Sequence, residues 1–126
     1  MVEEDEVSGS ALDRSVLDSL RELQDDGDPD IVAEVGGLFL EHSPKKVAAI
    51  LQAVDRGDAN GLRTAAHSLK SSSAYVGAMR LSEMSRELEM MGRSQSLDGA
   101  EEKAERLKRE HKRVIMELEA EIKRSN

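Results

Sequence analysis

The stretch "AAHSLKSSSAYVGA", residues 65–78, decides how the chain is read. Taking about 100° per residue, Leu62, Ala66, Leu69, Ser73 and Val76 fall within roughly 40° of one line, which marks the buried face of an amphipathic helix. His67 lies about 140° from that line; Thr64, Ser71, Ala74 and Ala78 share its outward sector, and Lys70 stands about 60° to one side. Exposed helix positions usually carry Glu, Lys or Gln, whereas these are small. A partner surface can therefore come close to a solvent-facing imidazole.

The same periodicity extends in both directions. Asp58 caps this helix and Gly57 ends the preceding one, which the pattern predicts from about Pro29 to Arg56, with Asp28 as its N-cap and Pro29 at its first position. Its buried residues are Ile31, Val35, Leu38, Phe39, Ile50, Leu51 and Val54. Pro44 removes a backbone bond to Leu40, so either a kink or a break capped by Ser43 is expected. Upstream, "QDDGDPD" closes a short first helix that Ser10 would cap, with Leu12, Val16, Leu20 and Leu23 at helical spacing. Downstream, a fourth helix runs from about Met79 to Met91 along Leu81, Met84, Leu88 and Met91. After "GRSQSLDG" a fifth runs from about Asp98 to Arg124, with Ala104, Leu107, Val114, Leu118 and Ile122 on one face. The fold class is all-α: four long helices in an antiparallel up-down-up-down bundle, with the short N-terminal helix packed across it as a lid. Residues 10–124 form one domain, and residues 1–9 form a disordered acidic tail.

Composition agrees. The chain has 126 residues, one Phe, one Tyr and no Trp, so its core must be aliphatic, with Ala and Met. Without Cys there is no disulfide, Cys-zinc or thiol chemistry, and the cytoplasm is favoured. No apolar run reaches the roughly 20 residues of a membrane span, and the acidic start "MVEEDEVSGS" is unlike a signal peptide. A net charge of -8 argues against nucleic acid as a partner. Residues 61–93, however, hold Arg63, Lys70, Arg80, Arg86 and Arg93 against Glu83, Glu87 and Glu89, a locally positive face suited to a phosphate.

An accessible imidazole is mostly neutral at neutral pH, so one ring nitrogen keeps a lone pair and can carry a covalent group. A lysine one turn away would neutralise an anionic group placed there. The other histidines, His42 and His111, fall on or beside apolar seams as structural or boundary residues, and the three are too scattered in sequence for zinc. Met84, Met90 and Met91 read as core filling. Glu89 and Arg93 form an i,i+4 pair that suits a surface salt bridge as well as a site. "EEKAERLKREHKRVIMELEAEIKR" reads as a solvated charged face, with dimerisation through the fifth helix left open against an expected monomer.

"AHSLKSSSAYVGA" followed by "RLSEMSRELEMMGR" resembles the histidine-containing phosphotransfer (HPt) domain of two-component phosphorelays, and the similarity extends over residues 12–124. The resemblance implies a carrier with no ATP site or kinase activity of its own. It accepts a phosphoryl group from a receiver-domain aspartate on His67, with Lys70 as the phosphate-proximal cation, and passes it to another receiver. It further implies that Glu89 orients the imidazole, that Ser71, Ala74, Gly77 and Arg93 support the site or the docking, and that Gly77 ends the helix beneath the site. Partners would be receiver domains of response regulators or hybrid histidine kinases; Mg²⁺ would belong to the receiver, with no cofactor or metal held by this chain. The position after Lys70, usually Gly in the family, is Ser71. Two other readings stay open: a bundle that docks a receiver without accepting phosphate, and the phospho-accepting domain of a chemotaxis-type histidine kinase.

Overall fold

The computed structural model describes residues 9–125 and contains five α-helices and no strand among them: α1 (Arg14–Glu22), α2 (Ile31–Arg56), α3 (Ala59–Tyr75), α4 (Met79–Ser94) and α5 (Ala100–Ser125). α2 packs on α3 and α5, α4 packs on the same two helices, and α1 rests on α2. The enclosed core is aliphatic as composition required, with Leu17, Ile50, Leu62, Leu69, Leu81, Leu88, Leu107, Val114 and Leu118 all essentially closed to solvent. All but residue 9 of the acidic tail lies outside the described residues, and the carbonyl of Gly9 accepts a 2.7 Å hydrogen bond from Arg113.

Several boundaries differ from the sequence pattern, each for a local reason. Ser10 does not cap α1, because the Glu117 carboxylate on α5 takes its hydroxyl together with the backbone N–H groups of Ala11 and Leu12. Residues 10–12 are thereby held outside the helix, and α1 starts behind Asp13, whose side chain accepts from the Ser15 N–H. The buried residue of α1 is Leu17, while Leu23 is exposed. Asp30, and not Asp28, caps α2 by accepting from Val32 and Ala33; the Asp28 carboxylate serves the turn, accepting from Asp25. Leu38 is exposed where the periodicity had buried it. α2 runs unbroken through Pro44, which lies on its exposed side, where water can serve the carbonyl that Pro44 leaves without a donor. Ser43 is not a cap: it is buried, its hydroxyl 2.8 Å from Nε2 of His111 on α5, and Phe39 packs nearby.

At the other end of α3, Gly77 adopts φ +83° in the turn, so α3 stops at Tyr75 and Ala78 is buried ahead of α4 instead of sharing the sector of His67. α4 continues to Ser94, past Met91, and ends on Gln95 in the left-handed region. α5 begins at Ala100, two residues later than the Asp98 start expected from sequence. Nor is the charge on α5 all solvated. Glu110 and Glu121 are buried, the first against Arg80 and Arg113, the second against Arg14, Arg21 and Arg124. Glu121 thus ties α1 to α5.

Burial holds the His111 imidazole below its ordinary value of 6.5. In the unfolded chain this ring takes a proton near that value, and in the fold only at lower pH, so within that window stability rises with pH. The melting temperature should fall as pH drops from about 7 to 5.5, and His111→Gln should flatten that slope while lowering stability at neutral pH through loss of packing. Melting followed by circular dichroism across this range tests it; identical slopes would show that His111 does not titrate with unfolding.

Candidate functional site

α3 presents His67 outward from its middle, with 61% of the side chain accessible. The ring is nevertheless fixed. Its Nδ1 lies 2.8 Å from Oε2 of Glu89 on α4, and the Glu89 side chain retains only 3% of its accessibility. An ionised carboxylate only accepts, so in the neutral ring Nδ1 carries the proton and Nε2 keeps the lone pair.

Lys70 is not the solvated lysine that its position alone suggests. Its ammonium lies 2.7 Å from Oε1 of Glu89, and Arg93 reaches Oε2 at 3.2 Å from the next turn of α4. Burial on its own would push the Glu89 carboxyl up; the hydrogen bonds from Lys70 and His67, and their charges, outweigh it and hold the group below the usual carboxylate range. His67, Lys70, Glu89 and Arg93, predicted from sequence as one site, are thus brought into contact around one buried charge.

The collar is partly as expected. Ser71 is exposed one turn beyond His67, its hydroxyl turned back to donate to the His67 carbonyl at 3.4 Å, so little of it projects. Thr64 is exposed and likewise donates to its own helix, and Ala74 is half-buried. Gly77 lies in the turn that follows α3, two residues past its last residue Tyr75, and so ends this helix as the sequence suggested. Its carbonyl accepts from the N–H of Asp13, so it seats the start of α1. Among the described residues no group of three His, Cys, Asp or Glu side chains is placed to hold a metal ion, and no helix is long and apolar enough to cross a membrane.

Sequence periodicity misses what joins α3 to α4. Ser82 donates across the interface to the Lys70 carbonyl at 2.9 Å, and Ser85 and Gly92 are buried on the same face of α4. The signal was present as a row of small residues on α4 beside the leucine seam, with Glu89 the one large polar residue among them.

The Hpt domain family model matches residues 34–122. Histidine-containing phosphotransfer protein 4 of Arabidopsis thaliana is 33% identical over 110 residues, covering 86% of each chain. Pseudo histidine-containing phosphotransfer protein 2 of Oryza sativa subsp. japonica is 31% identical over 115 residues, 86% of this chain and 76% of its own. Among solved structures, histidine-containing phosphotransfer protein B from Pseudomonas aeruginosa PAO1 superposes with a TM-score of 0.82 at 32% identity, over 93% of this chain and 98% of its own. Agreement of the family model, of relatives along most of their length and of the superposed fold places the chain in the Hpt domain family.

Proposed function

We propose that the protein is a phosphorelay carrier, in which His67 accepts a phosphoryl group from the aspartyl phosphate of one receiver domain and yields it to another. The observation that carries this reading is the buried Glu89 carboxylate at Nδ1, which leaves Nε2 of an exposed ring as the nucleophile. In the transfer the P–O bond of the aspartyl phosphate breaks, the Nε2–P bond forms and the aspartate departs as a carboxylate. The Nδ1 proton stays in place, and the positive charge gained by the ring faces Glu89. Such a transfer proceeds through an open, anionic phosphoryl group, so the carrier contributes position and charge. Lys70, one turn along α3, supplies the cation by turning from Glu89 to the phosphoryl oxygens, and Arg93 remains to balance Glu89. The Mg²⁺ of the reaction belongs to the receiver; this chain acts in the cytoplasm as a monomer, without cofactor or kinase activity.

The up-down-up-down bundle with α1 across one end is the matching architecture, supported by the closed ring of contacts α2–α3–α4–α5 and the short links between these helices. Receiver docking over α3 is supported by the small residues Ser71 and Ala74. A groove of ≈520 Å³ between α2 and α3 adds to it, with Leu38, Phe39, Tyr75 and Val76 as an apolar floor and Lys45 and Lys46 at its edge.

A receiver charged with acetyl phosphate should label the protein with an acid-labile, base-stable phosphate, and His67→Gln should abolish the label with helicity intact. A label that persists, or that maps to His42 or His111, would remove the assignment. Lys70→Ala should slow transfer about 10-fold or more. It should also cost about 1 kcal/mol of stability, because it strips one partner from a buried carboxylate that keeps two others. Unchanged transfer with lowered stability would leave Lys70 a structural role alone.

Ser71 separates docking from folding. Ser71→Gly should keep or improve transfer while losing roughly 0.5 kcal/mol of helix propensity, and Ser71→Gln should impair transfer with the helix as stable or more so. Transfer at the parent rate in Ser71→Gln would place the receiver on another face.

A further inference from the structure

We infer that Gly92 is a positioning residue for His67, setting the separation of α3 and α4 at which the Glu89 carboxylate reaches the imidazole. The inference rests on the phosphorelay reading only for its readout in transfer rate; its geometry stands on the two helices alone. A Cβ at Gly92 would lie 2.6 Å from the Ala59 carbonyl oxygen, 2.7 Å from the Arg63 amide nitrogen and 3.0 Å from the Arg63 Cα. All three are backbone atoms of α3 and cannot rotate away. The contrast with the other helical glycines is sharp: a Cβ at Gly36 meets only the flexible ends of Ile122 and Leu118, one at Gly61 meets the Asp58 side chain, and one at Gly37 meets nothing.

This backbone contact lies beside the site. Arg63 is one turn before His67 on α3, and Glu89 is one turn before Gly92 on α4, so His67–Glu89 is the next rung after Arg63–Gly92, and Lys70–Ser82 follows further along. A glutamate side chain has a limited reach, and here it must span to Nδ1 at 2.8 Å and to the Lys70 ammonium at 2.7 Å together, which leaves its torsions little freedom to compensate. Relieving a 2.6 Å contact to ordinary van der Waals distance requires the backbones to part by close to 1 Å. The same displacement carries the 2.8 Å bond to Nδ1 out to about 3.6 Å or more, beyond hydrogen-bond range.

The test compares Gly92→Ala and Glu89→Asp with Leu118→Ala, which weakens the core beside Gly36. Nitrogen-15 NMR of the His67 ring reads the tautomer, and a receiver charged with acetyl phosphate reads transfer. The parent should show the Nδ1–H tautomer alone. Gly92→Ala should show both tautomers and transfer at least about 10-fold more slowly, whereas Leu118→Ala should melt earlier yet keep one tautomer and a rate within about twofold. Glu89→Asp should also lose the single tautomer, because helices already in backbone contact cannot close to restore the lost reach. Persistence of the single tautomer in Gly92→Ala, or in Glu89→Asp, would overturn the inference. Should Gly92→Ala not fold, Glu89→Asp decides. A parent that takes up no phosphate would refute the relay reading while the tautomer comparison still judges the role of Gly92.

Discussion

Keeping Glu89 ionised at a position almost closed to water requires that its charge be met from several sides, and the bundle meets it from two helices. His67 and Lys70 come from α3 and Arg93 from α4 itself. A carboxylate taken out of water loses several kcal/mol of solvation, which only close, well-directed donors offset. The pairing therefore works in one register of α3 against α4 and in no neighbouring one. That demand is what gives an exposed histidine a fixed ring: the restraint acts through Nδ1, so the other nitrogen is oriented on a side chain that stays open to solvent.

Carboxylates play the same part elsewhere on a core that is itself undirected. Among the described residues the interior is almost wholly Leu, Val, Ile and Ala, with Phe39 set against the His111 imidazole, and such packing drives collapse without specifying how helices slide. Glu121, Glu117 and Glu110 supply direction along α5, joining it to α1, to residues 10–12 and to α4 respectively. The buried Ser43–His111 pair does so between α2 and α5. A chain poor in aromatic residues thus specifies its helix registers with polar contacts.

The helices were legible in sequence because 3.6-residue periodicity is a property of one segment at a time. Leu62, Ala66, Leu69 and Ser73 predicted the buried side of α3, and the structure buries all four; Gly57 and Asp58 predicted the α2–α3 junction, with Gly57 at φ +66°. Boundaries failed where a distant residue took over a local bond. Ser10 looks like a cap until Glu117, more than one hundred residues away, claims its hydroxyl. At the site, spacing alone exposed His67 and set Lys70 beside it. It could not show that Lys70 is paired at rest or that Glu89 is buried, since both depend on how closely α4 approaches α3. Gly77 was legible for a simpler reason: a residue at φ +83° closes the helix within its own segment.

The contacts of Glu117 and Glu121 also bring the two ends of the described chain together. Residues 10 and 14 are fastened to positions 117 and 121, so the segment that enters and the helix that exits meet at one end of the bundle. A domain with its two ends together can be set into a loop of a larger protein, or carried on a single tether, without its interior being rethreaded. On such a tether an outward histidine would swing on a radius that the tether's length sets.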